Sequence, residues 1–66
     1  MKFSRRLWEA VKLAKAPAYQ LAQQADIHPN QLSKWMNGIE SVPPEDLRIH
    51  MLGELLNVPD TALLED

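Results

Sequence analysis

Apolar residues recur at helical spacing near the start of the chain. Four of them stand at positions i, i+3, i+4 and i+7, namely Leu7, Ala10, Val11 and Ala14. Charged residues fill the opposite side, and Ser4, a residue type that favours helix N-caps, precedes the stretch. The pattern predicts an amphipathic first helix from Ser4 to about Lys15.

A second helical pattern begins after Pro17, which suits the first position of a helix because that position needs no backbone N–H. Small and apolar residues share one side of this helix: Ala18, Leu21, Ala22 and Ala25. Asp26 is expected to end it, since Asp tolerates the left-handed backbone conformation of a tight turn. Ile27 is then expected to fill the core beneath that turn.

A third helix is predicted to open at Pro29, with His28 as the boundary residue. Its apolar side comprises Leu32, Trp35 and Met36. Its other side presents amide, hydroxyl and ammonium groups within two turns: Asn30, Ser33, Lys34 and Asn37. Gly38 follows directly, and glycine is the preferred residue just after a helix.

A fourth helix is predicted from about Pro44 to Leu56, after a connecting loop at 39–42. Its apolar residues form two stripes, Ile49/Leu52/Leu56 and Leu47/Met51/Leu55. Together they cover a wider arc than a surface helix usually buries, so one stripe is free for a second contact. The tail from Asp60 to Leu64 is expected to form a final helical turn or two, with Leu63 or Leu64 packed on the core. The pattern thus predicts one all-α domain of five helices over residues 1–66.

Charge is distributed unevenly along the chain, although the formal net charge is only −2. Residues 1–38 carry six basic and two acidic side chains, a net charge of +4. Residues 39–66 carry one basic and seven acidic side chains, a net charge of −6. If the fold keeps these two halves apart, one side of the protein can face phosphates and the other can face water or a partner. The competing interpretation is that small domains carry uneven charge for solubility alone.

Length and residue types limit the classes of function. A chain of 66 residues buries only about 60% of its unfolded surface and leaves no room for a deep catalytic cleft. No nucleophile–base pair, paired carboxylates or phosphate-binding glycine loop is visible, so we do not expect an enzyme. His28 and His50 lack metal-ligand spacing, and we expect neither a metal nor a cofactor. The lack of cysteine and of any signal or membrane span indicates a cytoplasmic protein.

The second and third helices, with small Ala22 where two crossing helices approach, have the layout of a helix-turn-helix over about 17–37. Four segments within it carry a resemblance: Leu21-Ala22, Asp26-Ile27-His28, Leu32-Ser33-Lys34-Trp35 and Asn37-Gly38. They resemble the motif of the Cro/repressor-type, XRE-like family of transcriptional regulators, and residues 52–58 resemble that family's closing pattern. The resemblance implies a lambda-repressor-like DNA-binding fold and a role in transcription regulation, for example as a repressor.

Three features depart from the family pattern. Asp26 stands where the family usually has a turn glycine. Ala18 stands where it commonly has a glutamine that contacts phosphate. Pro17 and His28 replace the usual Ser or Thr caps. These departures concern the DNA contacts more than the fold.

If the third helix enters a major groove, its polar side meets base edges and its flanks meet phosphates. The expected base-reading residues are Asn30, Ser33 and Lys34. Asn can pair with adenine, Lys34 can reach either guanine O6 and N7 or a phosphate, and Ser33 is the less specific reader between them. The expected contacts to the DNA backbone or its flanks are Ala18, Tyr19, His28, Gln31, Asn37, Arg5, Arg6 and Lys15. The competing interpretation is that the polar side of the third helix is only a solvated surface.

A single helix reads few base pairs, so we expect a homodimer on double-stranded DNA. The expected dimer contact is either the stripe Leu47/Met51/Leu55 or the tail around Leu63 and Leu64; the competing interpretation is that these residues complete the core. The alternative function is a protein-interaction module, antitoxin-like or adaptor, which keeps the helix-turn-helix scaffold and binds a partner through its acidic half. No membrane association or small-molecule cofactor is expected.

Overall fold

A computed structural model covers Met1–Asp66 and shows a mostly helical chain with a small sheet. The α-helices are α1 (Arg5–Leu13), α2 (Ala18–Gln24), α3 (Pro29–Met36) and α4 (Leu47–Leu56). A single 3₁₀ turn follows at Asp60–Ala62. Two strands, β1 (Lys2–Phe3) and β2 (Leu64–Glu65), pair at the chain ends. The expectation of an all-α protein with five helices was therefore wrong in detail.

The sheet replaces the end of the expected fifth helix. β1 and β2 are antiparallel, with Phe3 opposite Leu64 and Lys2 opposite Glu65. The backbone N–H of Ser4 donates to the carbonyl of Leu63 at 3.0 Å. The tail thus makes one 3₁₀ turn and then extends. Pairing with β1 gives hydrogen-bond partners to its backbone N–H and carbonyl groups, some of which would lack partners at the end of a longer helix.

α1 begins as predicted, and Ser4 caps it by accepting a hydrogen bond from the Leu7 N–H at 3.0 Å. It ends at Leu13, two residues earlier than expected, since Ala14 has an extended backbone. Pro17 likewise lies just outside α2 as its N-cap, not at the first helical position. The connection between the two helices therefore spans Ala14–Pro17, and the residue before a proline disfavours helical conformation in any case.

The turn between α2 and α3 follows the prediction. Asp26 has φ 60°, the left-handed conformation, and Ile27 is buried beneath the turn. His28 caps α3 through its Nδ1 atom, which accepts from the Asn30 N–H at 3.1 Å, and Pro29 is the first helical residue. Gly38, with φ 72°, ends the unit.

α4 begins at Leu47, three residues after the expected Pro44, because Asp46 caps it. An Asp46 carboxylate oxygen accepts from the Arg48 N–H at 3.0 Å. Asn57 closes α4 with φ 58°. Both ends of this helix thus rest on residues with intrinsic capping preferences.

All elements enclose one core of 14 buried apolar residues, which includes Val42 from the loop before α4 and Val58 after it. Leu63 contributes to this core and is only 1% exposed. It approaches α4 at Gly53, where an added Cβ would lie 2.5 Å from the Leu63 Cδ2 atom. None of the helices has the length and apolarity needed to cross a membrane.

Candidate nucleic-acid interface

The helix-turn-helix unit is held together by the residues expected to do so. Its buried side chains belong to the single core: Leu21, Ala22, Ala25, Ile27, Leu32 and Trp35. Ala22 is fully buried, as expected of a small residue at a helix crossing. The two helices therefore have a fixed relation, and the outer side of α3 is presented as a rigid surface.

The polar side of α3 faces outward, as the sequence predicts. Asn30, Ser33, Lys34 and Asn37 are all exposed. The Asn37 amide donates to the Ser33 hydroxyl at 3.2 Å, so these two side chains form one hydrogen-bonded pair. Asn30, at the N-terminal end of α3, keeps its side chain free of any intramolecular hydrogen bond, since only its backbone N–H is used by His28.

Glu40 contacts this polar side, and sequence reasoning missed it. Its Oε2 atom accepts from the Gln31 amide at 2.8 Å, and its Oε1 atom lies 3.8 Å from the Lys34 ammonium. The half-buried Gln31 is therefore bound to Glu40, and Lys34 has an acidic neighbour. No sequence signal points to this contact, because it depends on how the loop after Gly38 folds back.

A groove of about 150 Å³ lies between α1, the start of α2 and one side of α3. Four of the predicted site residues line it together: Ala18, Tyr19, Ser33 and Asn37. Lys12 and Trp8 of α1 complete the wall, with the Lys12 ammonium 5.3 Å from the centre of the Trp8 ring. Lys12 was not predicted as a neighbour of α3. The i+4 spacing of Trp8 and Lys12 is nevertheless compatible with the cation–π contact that these two residues make.

A second, wider groove of about 440 Å³ lies at the C-terminal end of α3. Lys2, Asn37, Gly38 and Glu40 are among its lining residues. Lys2 reaches this position because β1 places the chain start beside α3. It was not among the predicted contacts, since the sheet that positions it was not foreseen.

The other predicted flanking residues lie elsewhere. Arg5, Arg6 and Lys15 are exposed but line neither groove beside α3. The Arg5 side chain pairs with Glu9 at 2.9 Å, which compensates its charge. At the start of α2, the N–H groups of Ala18 and Tyr19 donate to no backbone carbonyl. The basic residues that line the grooves bordering α3 are therefore Lys12 and Lys2, and Lys34 lies on α3 itself.

The acidic half of the chain forms ion pairs of its own. The Arg48 guanidinium lies 5.1 Å from the centre of the Trp35 ring and donates to Asp46 at 2.7 Å and 3.0 Å. This side-chain hydrogen bonding lowers the pKa of Asp46 and raises that of Arg48. Arg48 thus packs over Trp35 of α3, and Asp46 compensates its charge.

His50 lies on α4, away from the predicted site. Its Nδ1 atom is 3.1 Å from an Asp60 carboxylate oxygen. The hydrogen bond with Asp60 raises the pKa of His50. The structure contains no group of three or more His, Asp or Glu side chains arranged to hold a metal ion.

The residues of the expected dimer contact differ in exposure. Leu47, Met51 and Leu55 form an exposed stripe along α4, with exposures of 76%, 45% and 43%. Leu63 was wrongly included, because it is buried in the core against Gly53. Leu64 is half-buried and packs on the core opposite Phe3, so little of it is available for a partner.

The geometry of the structure alone identifies the two grooves, the polar side of α3 and the exposed stripe of α4. The chain matches no protein-family model, no curated protein and no solved structure.

Proposed function

We propose that this protein binds double-stranded DNA in a sequence-specific manner, as a small transcriptional regulator, with α3 in the major groove. The observation that carries the proposal is the polar side of α3. Asn30, Ser33 and Lys34 project from a helix whose other side is locked into the core. An α-helix fits the major groove, and amide and ammonium groups are the side chains that read adenine and guanine there.

The two grooves that border α3, one along its length and one at its C-terminal end, support the same proposal. Each contains a lysine, Lys12 in one and Lys2 in the other, and Asn37 lines both. A helix in the major groove is flanked by two phosphate backbones, and a lysine next to such a helix is suited to bind phosphate. In the first groove Lys12 is the only charged lining residue, whereas in the second groove Glu40 offsets the charge of Lys2. The acidic side chains of the second half, apart from Glu40, lie outside the linings of these two grooves.

The experiment is selection of bound sequences from random duplex DNA, followed by salt titration of the enriched duplex. Lys34→Ala is compared with Lys15→Ala, since both remove one positive charge. We expect Lys34→Ala to change the preferred bases. Lys15→Ala should lower the binding affinity for all sequences equally, or leave it unchanged. The proposal is wrong if no sequence is enriched at low salt, or if both variants keep the same base preference.

A second candidate function, a protein-interaction module, is favoured by the exposed stripe Leu47/Met51/Leu55. An apolar stripe on a surface helix commonly marks a binding surface for another protein. On DNA, the partner that we propose for this stripe is a second copy of the chain, which would pair two half-sites. A protein that remains monomeric, enriches no DNA and binds a different partner through α4 would instead be an interaction module.

A further inference from the structure

We propose that Glu40 and Lys34 act together as a reader of one G·C base pair. This inference rests on the proposed function, and it assigns a specificity role to a residue outside the helix-turn-helix. It starts from the contacts of the Glu40 carboxylate, which joins Gln31 at 2.8 Å and Lys34 at 3.8 Å on the outer side of α3.

The backbone holds Glu40 in this position. The N–H groups of Ile39 and Glu40 both donate to the Lys34 carbonyl, at 2.9 Å and 3.3 Å. Gly38, in the left-handed conformation, turns the chain back so that these bonds form. Glu40 therefore belongs to the hydrogen-bonded turn itself, and its carboxylate is held at the flank of the helix.

The pair presents a donor and an acceptor side by side. In the major groove a G·C pair offers two acceptors, guanine N7 and O6, and then one donor, cytosine N4. O6 and N4 are themselves hydrogen-bonded and so lie about 2.9 Å apart. The Lys34 ammonium is suited to the two acceptors, while the Glu40 carboxylate, 3.8 Å away, is suited to the donor.

An A·T pair fits these two groups less well. It offers acceptor, donor, acceptor and then the thymine methyl group. One ammonium and one carboxylate leave one of its acceptors without a donor and bring charge next to a methyl group. Leaving a polar group unpaired in a desolvated interface is the usual source of discrimination between related ligands.

Glu40 also reduces attraction to DNA in general. Lys34 is the only charged side chain on α3, and the adjacent carboxylate compensates that charge. A carboxylate near the phosphates lowers the affinity for every sequence, but it lowers it least where cytosine N4 satisfies it. The carboxylate thus lowers the affinity for non-specific sequences more than the affinity for a site that contains this G·C pair.

The test compares Glu40→Ala with Glu45→Ala, which removes the same charge from an exposed residue of the same loop. Binding is measured to the selected duplex and to duplexes in which each G·C pair is changed to A·T. With the unchanged protein and with Glu45→Ala, we expect one such change to weaken binding about tenfold. With Glu40→Ala, that change should cost threefold or less, while affinity for unrelated duplexes rises.

Thermal melting of each variant checks that it is folded. Glu40→Gln, which loses the charge but keeps one acceptor oxygen, is expected to relax the same position less than Glu40→Ala does. If Glu40→Ala and Glu40→Gln keep the base preference of Glu45→Ala, Glu40 only stabilises the end of α3 and the inference is wrong. In that outcome the proposed function stands, because the unchanged protein still selects a sequence. If none of the proteins selects a sequence, both proposals are wrong.

Discussion

Gly53 lies where α4 and the C-terminal segment come closest. A Cβ at this position would lie 2.5 Å from the Leu63 Cδ2 atom and 3.0 Å from the Val58 carbonyl oxygen. Alanine normally stabilises a helix interior relative to glycine by about 0.5–1 kcal/mol. Here the clash of an added Cβ with the buried Leu63 side chain and the Val58 backbone outweighs that gain. Position 53 therefore requires glycine because a larger residue does not fit, and not because of its backbone conformation.

We therefore predict that Gly53→Ala lowers the free energy of unfolding by about 1–3 kcal/mol, as overpacking does in other cores. Urea denaturation measures it. Gly38→Ala is the matched control, because nothing lies within 4 Å of its Cβ position and only backbone strain at φ 72° is added. Combining Gly53→Ala with Leu63→Ala should cost less than the sum of the two single changes. Additive costs would show that the two residues do not collide.

His50 and Asp60 form an exposed pair whose stability depends on pH. The hydrogen bond with Asp60 raises the pKa of His50 above its ordinary value of 6.5. Protonated His50 therefore favours the folded state. This contribution is fully present below pH 6.5 and is lost as the pH rises through the folded-state pKa.

We predict that Asp60→Asn lowers the melting temperature more at about pH 5.5 than at about pH 8.5. The control is Asp66→Asn, which removes the same charge from an exposed residue without a side-chain partner. An effect of Asp60→Asn that is equal at both pH values, or larger at the alkaline one, would contradict the pairing.

At the scale of elements, Ser4 links α1 to the end of the chain. Its hydroxyl accepts from the Leu7 N–H at 3.0 Å and donates to the Ala62 carbonyl at 2.6 Å. Its own N–H donates to the Leu63 carbonyl. One buried serine thus caps the first helix and fastens the tail that completes the core.

We predict that Ser4→Ala lowers the free energy of unfolding by about 2–4 kcal/mol. About 1 kcal/mol of this is the lost cap, and the rest is the Ala62 carbonyl left without its partner. Ser41→Ala, at an exposed serine, should stay within about 0.5 kcal/mol of the unchanged protein. If Ser4→Ala lowers the free energy of unfolding by no more than the loss of an ordinary helix cap does, the hydrogen bond from Ser4 to the Ala62 carbonyl contributes nothing to stability.

The helix-turn-helix could be predicted because its signals are local. Asp26, His28, Pro29 and Gly38 mark its boundaries within a few residues, and apolar periodicity identifies its buried side. Its outer residues, including Lys34, follow from the same periodicity.

What the sequence did not reveal depends on contacts between distant or loop residues. The sheet of Lys2–Phe3 with Leu64–Glu65 has strands of two residues, too short for any alternating pattern. It fastens the tail and brings Lys2 beside α3. The position of Glu40 follows from two backbone hydrogen bonds in a loop, which residue types alone do not specify.

At the scale of the whole molecule, the exposed stripe of α4 is the surface that we propose for dimer formation on DNA. We predict that Met51→Glu abolishes a dimer measured by analytical ultracentrifugation with the selected duplex, without lowering the melting temperature, because Met51 is already 45% exposed. Leu13→Glu, an exposed leucine outside the stripe, should leave the assembly unchanged. An unchanged mass and affinity for Met51→Glu would rule out this contact.

The outer side of α3 is the surface that we propose binds DNA. Backbone amide signals in nuclear magnetic resonance spectra, followed as the selected duplex is added, test this claim most directly. We predict that the largest shifts lie at residues 30–40 and in the lysine-containing grooves beside them, and that they weaken as salt is raised. Shifts confined to α4, or no shifts at low salt, would contradict the claim.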